Sequence, residues 1–382
     1  MIMKKVAVLG FGVIGAGVCE LLTKSTSIAE LKYICDLRDI PGLPYGKKHI
    51  KDFDIILNDP EVEAVIEVTG ARRAAYELSL KAIQAEKSVI TSNKEVVAEY
   101  GVELLQAARD NGVSYLFEAA VGGAIPLIRA LRTSLKTDEI TKICGILNGT
   151  TNYILTKMKE NGETYENALR EAQRLGYAEP DPTADVEGLD TCRKTSVLSA
   201  FIDGGLIPPQ KIGTKGISEV KAEDLALASM LGGKIKLLGV AQKTPDGKGV
   251  SACVMPCFVP NDNLLHDVDD VYNAVLIKCR YSGDVLLYGR GAGAIPTAAA
   301  VLSDVNEALY GKPDGMIWRR AENSESGRKR KAFVIAKGDP DGINEFKTLK
   351  KCKKDGCTGY IIEDASGIEK LGADIIAVYD VI

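Results

Sequence analysis

Apolar positions along the first third of the chain fall into two alternating rhythms. Lys5–Leu9, Leu31–Cys35, Ala64–Val68, Ser88–Thr91 and Tyr115–Glu118 are short, nearly unbroken apolar runs, which read as buried strands. Helical spacing follows the first run to about Thr23, covers Ala71–Ala85, and runs from about Glu95 to Asn111. Strands and helices alternating at this spacing predict a parallel, doubly wound sheet, whose ligands sit at the carboxyl ends of its strands.

From about Ile140 the pattern changes. The apolar run Ile143–Leu147 enters a polar turn, NGTTN at 148–152, and a helix. Further helices are predicted over Thr164–Leu175, closed by Gly176, from about Leu189 to Ile202, and over Ala222–Leu231. Strands are predicted at Leu237–Gln242, Val250–Pro256, Ala274–Cys279 and Val285–Tyr288, giving an α+β domain with its own sheet. A glycine cluster at Gly289–Gly293 then feeds an apolar helix to about Leu309, which we expect to return to the first domain. The remainder reads as strand–helix–strand–helix–strand: Ala332–Ala336, a helix near Asn344–Lys354, Gly359–Glu363 and Ile375–Val381. It fits a small regulatory domain or a dimer-stabilising appendage. Two basic runs, GRKRK at 327–331 and Lys350–Lys354, read as solvated faces.

The first strand runs into GFGVIG at 10–15, a G-x-G-x-x-G sequence with a strand before it and a helix after it. Gly10 permits the tight turn, Gly12 lets backbone approach a pyrophosphate, and Gly15 lets helix and strand pack closely. The helix N-terminus offers free N–H groups to phosphate. After the second strand, Asp36 would hold a ribose 2′-hydroxyl and favour NAD, whereas Arg38 would hold a 2′-phosphate and favour NADP; both are present. Lys94 follows the fourth strand end, and reads either as a surface lysine or as a site residue. In EAAVGGAIP at 118–126, paired glycines free the backbone to turn its carbonyls toward a ligand or cation, and Pro126 suits a helix start.

The densest chemistry is in GYAEPDPTADVEGLDTCRK at 176–194, with Glu179, Asp181, Asp185, Glu187 and Asp190 ahead of Lys194. Asp190 and Lys194 are four apart and share a helix face. On a surface, such a pair contributes only ~0.3–0.5 kcal/mol. In a substrate site, Asp190 would bind an ammonium, Glu179 would add a second anion, and Lys194 would pass a proton to or from a reacting oxygen. Asp181, Asp185 and Glu187 read as shaping and capping the turn.

Composition narrows the class. The chain has 382 residues, enough for two or three domains. Its net charge of −4, from 48 basic and 52 acidic residues, gives no support to nucleic-acid binding. No run approaches the ~20 apolar residues of a membrane span. Lys4-Lys5 ahead of an apolar stretch mimics a secretory signal, but the three glycines fit a strand and turn better. Nine scattered cysteines and two histidines, without zinc spacing, read as reduced thiols in the cytoplasm.

With these residues assembled, the chain closely resembles homoserine dehydrogenases over about residues 1–310. The markers are GFGVIG at 10–15, TSNKEVVA at 91–98, EAAVGGAIPLI at 118–128, GILNGTTNYIL at 145–155, the 176–194 stretch, and GAGAIPTAAAVLSD at 291–304. The resemblance implies NAD(P)-dependent interconversion of L-homoserine and L-aspartate 4-semialdehyde, on the route to threonine and methionine. It makes Lys194 the proton donor and acceptor, gives Glu179 and Asp190 the amino-acid end, and puts Lys94 where nicotinamide and substrate meet. Val13, Ile14, Ser92 and Gly293 would line the cofactor. Glu118, Val121, Gly123 and Ile125 would coordinate a sodium ion, largely through backbone carbonyls, a donor type that suits an alkali cation.

The expected fold class is therefore α/β: a Rossmann-type doubly wound parallel sheet, an α+β substrate and dimerisation domain, and a small C-terminal α/β appendage. The expected boundaries are 1–126, completed by 289–310; 127–288; and 311–382. A homodimer or homotetramer is expected. Longer members of the family end in an ACT domain that binds threonine. Residues 311–382 look too short for that domain and a linker, and read as a degenerate version without threonine feedback. Two alternatives remain, a dehydrogenase of another small amino-acid aldehyde and a non-catalytic nucleotide-sensing regulator. Retention of Lys94, Glu179, Asp190 and Lys194 together argues against the second.

Overall fold

The structure, a computed structural model, describes residues 3–24, 28–40, 42, 44–313, 315–324 and 330–382. In chain order the first elements are β1 (Lys5–Leu9), α1 (Val13–Lys24), β2 (Glu30–Cys35), β3 (His49–Ile50), α2 (Asp54–Leu57) and β4 (Val62–Glu67). Next come α3 (Arg72–Gln84), β5 (Ser88–Thr91), α4 (Lys94–Asp110), β6 (Tyr115–Leu116) and α5 (Leu127–Arg129). The middle of the chain forms β7 (Ile140–Ile146), α6 (Gly149–Asn161), α7 (Tyr165–Arg174), α8 (Thr183–Val186), α9 (Leu189–Asp203), β8 (Gly205–Leu206) and β9 (Gly213–Thr214). It continues with α10 (Ala222–Met230), β10 (Gly233–Lys243), β11 (Val250–Pro260), β12 (Tyr272–Cys279) and β13 (Gly283–Arg290). The last elements are α11 (Ala294–Tyr310), β14 (Arg319–Arg320), β15 (Ala332–Lys337), β16 (Thr348–Lys354), β17 (Cys357–Ile362) and β18 (Ile375–Val381).

These elements form two compact units: 1–137 with 203–209 and 289–321, and 138–202 with 210–288 and 322–382. In the first unit, six strands lie in the order β3-β2-β1-β4-β5-β6. The pairings β1–β2, β1–β4, β2–β3, β4–β5 and β5–β6 are all parallel. The apolar runs of β1, β4 and β5 are buried because helices cover both faces of such a sheet. Its core joins Val6, Val8, Ile34 and Ile66 to Ala298, Val301 and Val305 of α11. Gly17 of α1 admits that helix: a Cβ there would lie 3.3 Å from the Ala294 carbonyl oxygen.

The second unit is built on a larger sheet, ordered β13-β12-β7-β10-β11-β18-β15-β17-β16, with β9 also on β11. The antiparallel pairs β7–β12, β7–β10 and β10–β11 set its centre. The C-terminal strands continue this sheet through β18, which runs parallel to β11 at Cys257–Asp380 and Phe258–Val381.

The helix expected near Asn344–Lys354 is not formed; Thr348–Lys354 is the edge strand β16. Its lysines offer no apolar period of either kind, and only Cys352 is half-buried. An edge strand with one side free tolerates such a sequence, and lysines there discourage further strand pairing. Four strands in the order β18-β15-β17-β16 follow the arrangement of a ferredoxin-like β-α-β-β-α-β unit, with single 3₁₀ segments at Ile343–Glu345 and Ile368–Asp374 where its helices would stand. Of the basic run at 327–331, residues 327–329 lie outside the described residues. Arg330 is no free surface cation, since it pairs with Asp380 at 2.6 Å and Glu369 at 3.0 Å.

Candidate active site

Each unit carries one cluster of the residues singled out above. In the first, the turn after β1 is shaped by its glycines. Gly10 has a φ of +92°, and a Cβ on it would lie 2.9 Å from Thr69 Cα. A Cβ on Gly15 would lie 2.1 Å from the Gly10 carbonyl oxygen, so only glycine lets α1 sit this close to the turn. A Cβ on Gly12 would meet no protein atom within 4 Å. That open space lies beside the start of α1, whose first N–H groups have no partner within the helix. This is the shape a pyrophosphate requires. Val13 is exposed and Ile14 half-buried at the same helix start.

Asp36 and Arg38 form one unit of charge. The Asp36 carboxylate accepts the Phe11 amide at 2.8 Å and the Arg38 amide at 3.0 Å. It also accepts Arg38 Nε at 2.9 Å and Nη2 at 2.7 Å. The guanidinium holds this carboxyl well below the usual carboxylate range. Four donors leave Asp36 little capacity for a ribose hydroxyl, while the Arg38 side chain is exposed.

At the end of β5, Asn93 caps α4: its Oδ1 accepts the amides of Glu95 at 3.1 Å and Val96 at 3.3 Å. Ser92 and Lys94, the first residue of α4, flank that cap and are half-buried.

The turn after β6 is held from two sides. The Glu118 carboxylate accepts the amides of Ile128 at 3.0 Å and Arg129 at 2.6 Å, capping α5. The Glu118 amide donates to Asp304 Oδ2 at 2.7 Å. Burial raises the carboxyls of both, Asp304 to about 7. Gly122 and Gly123 have φ values of +87° and +56°. A Cβ on Gly123 would lie 2.5 Å from the Gly291 carbonyl oxygen. Gly293, at φ +123°, starts α11. The carbonyls of Glu118, Val121 and Gly123 accept no hydrogen bond among the described residues, whereas that of Ile125 accepts the Leu127 amide at 2.7 Å. Among the described residues no group of three or more His, Cys, Asp or Glu could hold a metal. A cation here would therefore depend on backbone oxygens.

In the second unit, α9 carries Asp190 and Lys194. Lys194 Nζ lies 2.7 Å from Asp190 Oδ2, with the two side chains 11% and 10% exposed. It also donates to the Leu147 carbonyl at 2.6 Å. This is no solvated surface pair. Asn148, at the turn from β7 to α6, joins the cluster: its Nδ2 donates to Asp190 Oδ2 at 3.1 Å and Asp185 Oδ1 at 2.7 Å. Its Oδ1 accepts the Thr151 amide at 2.9 Å and so caps α6. Burial raises the Asp185 carboxyl, and the charge of Asp190 adds to the effect. Asp181 is spent on its own turn, accepting the Thr183 amide at 3.1 Å and hydroxyl at 2.6 Å. Glu179 is exposed, with its carbonyl held by Gln173 Nε2 at 3.2 Å. Asn148 and Asp185 were not singled out from sequence as site residues. The available signal was an asparagine before Gly-Thr-Thr, at a helix start leading out of an apolar strand.

A family model described as "Homoserine dehydrogenase" matches residues 126–305, and one described as "Homoserine dehydrogenase, NAD binding domain" matches residues 10–118. The homoserine dehydrogenase of Synechocystis sp. is 40% identical over 312 residues, covering 79% of this chain and 72% of that protein. The crystal structure of a homoserine dehydrogenase from Thiobacillus denitrificans superposes with a TM-score of 0.87 at 29% identity, over 99% of this chain and 98% of that one. A hyperthermophilic archaeal homoserine dehydrogenase in complex with NADPH gives a TM-score of 0.68 at 27% identity, over 80% of this chain and 97% of that one.

Proposed function

The chain belongs to the homoserine dehydrogenase family, and on that premise we propose which of its residues carry the reaction. The activity is an oxidoreduction at a CH–OH group, interconverting L-homoserine and L-aspartate 4-semialdehyde with a nicotinamide cofactor. Bound NAD(P)H supplies the hydride to the aldehyde carbon. The residues around it bind, orient and move one proton.

Lys194, as ammonium, donates that proton to the oxygen that becomes the hydroxyl, and takes it back in the oxidation direction. Asp190 orients the ammonium and faces the substrate's amino group together with Glu179. Asn148 holds Asp190 and Asp185 in register. Lys94 orients the nicotinamide and substrate ends. Gly10, Gly12 and Gly15 shape the pyrophosphate site, with Val13, Ile14, Ser92 and Gly293 along the rest of the cofactor. The observation that carries the assignment is the nearly buried Asp190–Lys194 pair, held by Asn148 and the Leu147 carbonyl.

For the cofactor, saturation of Asp36 by four donors and the outward reach of Arg38 support NADP over NAD. For the cation, the uncommitted carbonyls of Glu118, Val121 and Gly123, with that of Ile125, support sodium. A role in threonine and methionine biosynthesis, a cytoplasmic location and a homodimer or homotetramer complete the reading. All nine cysteines are free, which supports a reducing compartment. No described helix is long and apolar enough to cross a membrane.

The test follows NADPH and NADH absorbance with L-aspartate 4-semialdehyde, with and without sodium. Oxidation of NADPH faster than NADH, stimulated by sodium, is expected. Failure to oxidise either cofactor would overturn the reading.

A further inference from the structure

We infer that Glu67 and Thr91 are positioning residues for the Ser92-Asn93-Lys94 turn; this rests on the role proposed above for Lys94. Glu67 is the last residue of β4 and is fully buried, at 0% exposure. No lysine or arginine lies within ion-pairing distance of it among the described residues. Its Oε1 accepts the Thr69 amide at 2.8 Å and the Thr69 hydroxyl at 2.7 Å. Its Oε2 accepts the Thr91 hydroxyl at 2.7 Å. Glu67 and Thr91 stand opposite each other at the carboxyl ends of β4 and β5.

A buried carboxylate without a cation is costly, and an apolar side chain would close a strand end at less cost. What the carboxylate supplies is direction. It accepts the hydrogen bond that the Thr91 hydroxyl donates, which turns the hydroxyl oxygen's lone pairs away from Glu67. One of them accepts the Asn93 amide at 2.9 Å. That bond sets the cap residue of α4, and the next residue is Lys94. Asn93 Nδ2 is meanwhile buried without a partner among the described residues. The Asn93 backbone is thus held from the Thr91 side.

On the other side of Glu67, Thr69 packs on the glycine turn, since a Gly10 Cβ would lie 2.9 Å from Thr69 Cα. One carboxylate therefore ties the phosphate-side turn to the lysine turn and fixes their separation. Displacing a reacting group by ~1 Å can cost ~100-fold in rate.

The experiment measures kcat, NADPH affinity by fluorescence titration and Tm for the full chain carrying Thr91→Val, Thr91→Ser, Glu67→Gln or Lys94→Met. Thr91→Val keeps the side-chain shape and removes the hydroxyl. It is expected to lower kcat ~10–100-fold with NADPH affinity within about threefold, while Thr91→Ser restores kcat to within about threefold of the parent. Glu67→Gln should lower kcat in the same direction, and the double variant Glu67→Gln/Thr91→Val should fall no further than about threefold below Thr91→Val, because both break one chain of contacts. If Thr91→Val and Thr91→Ser lose kcat equally, or Thr91→Val keeps kcat while Lys94→Met loses it, the inference is overturned. If Lys94→Met keeps kcat, the role of Lys94 itself fails and the inference falls with it. Should Thr91→Val not fold, Glu67→Gln alone decides: kcat within about threefold of the parent would sink the idea.

Discussion

Replacing Lys194 separates chemistry from stability in a way the structure makes measurable. Its ammonium is bonded at 2.7 Å to Asp190 and at 2.6 Å to the Leu147 carbonyl. Lys194→Ala removes both bonds and leaves Asp190 in a nearly buried site with Asn148 as its remaining named partner. Breaking a buried pair from one side costs ~3–5 kcal/mol. The real cost should lie near the lower end, because Asn148 still donates and about a tenth of each side chain is exposed. Loss of a general acid–base group costs ~10²–10⁴-fold in rate, which is ~2.7–5.4 kcal/mol at ~1.36 kcal/mol per tenfold.

The two penalties are similar in size, so one variant does not distinguish them. Lys194→Arg does. It restores a cation beside Asp190 but holds its proton at any working pH. Lys194→Ala should lower both Tm and kcat, whereas Lys194→Arg should recover much of the Tm and none of the rate. Cofactor affinity should stay within about threefold for both, because the glycine turn is untouched. Initial rates of NADPH oxidation with aspartate semialdehyde, thermal unfolding and cofactor titration give the three readouts. A kcat for Lys194→Arg within about tenfold of the parent would refute the proton-transfer role.

Two glycine variants should behave oppositely. Gly15→Ala pushes a Cβ to 2.1 Å from the Gly10 oxygen and should cost ~1–3 kcal/mol of stability, read as a lower Tm. Gly12→Ala meets no protein atom within 4 Å, so Tm should hold while NADPH affinity drops; unchanged affinity would exclude the phosphate site from that space. Arg38→Ala should lower kcat/KM for NADPH more than for NADH, and equal losses would remove Arg38 from cofactor choice. Asp304, raised to about 7 by burial, keeps a proton in the folded state that the unfolded chain releases near ~4. Its contribution to stability is full below about 4 and is lost as pH rises to about 7. Asp304→Asn lacks that loss, so its Tm relative to the parent should climb over this interval; a constant difference would show that Asp304 is not the titrating group. Threonine added to the assay should leave the rate unchanged, since 3₁₀ segments stand where the appendage's two helices would be; strong inhibition would contradict this.

Much of the first sheet was legible because a buried parallel sheet leaves nearly unbroken apolar runs, and β1, β4 and β5 carry them. The edge strand β16 was not legible, since four lysines in Thr348–Lys354 erase the period that distinguishes strand from helix. The Asp190–Lys194 pair was visible because it is local, four residues apart on one helix. Asn148 and Asp185 were not, because their contact joins a helix cap to a residue 37 positions later. Glu67 lies inside the predicted run Ala64–Val68, where nothing local marks it as a site-shaping residue. Only the register of β4 against β5 shows which hydroxyl it directs.

The seam between α1 and α11 has a consequence for how the chain is born. The core of the first unit requires Ala298, Val301 and Val305 beside Val18, Cys19 and Leu22. These groups leave the ribosome separated by residues 138–202 and 210–288, the greater part of the second unit. At about 5–20 residues per second the early strands wait on the order of ten seconds for their last helix. During that wait the face of α1 around Gly17, Val18 and Leu22 is open and apolar. A fragment ending before α11 would keep that face open permanently, and should need a chaperone or aggregate.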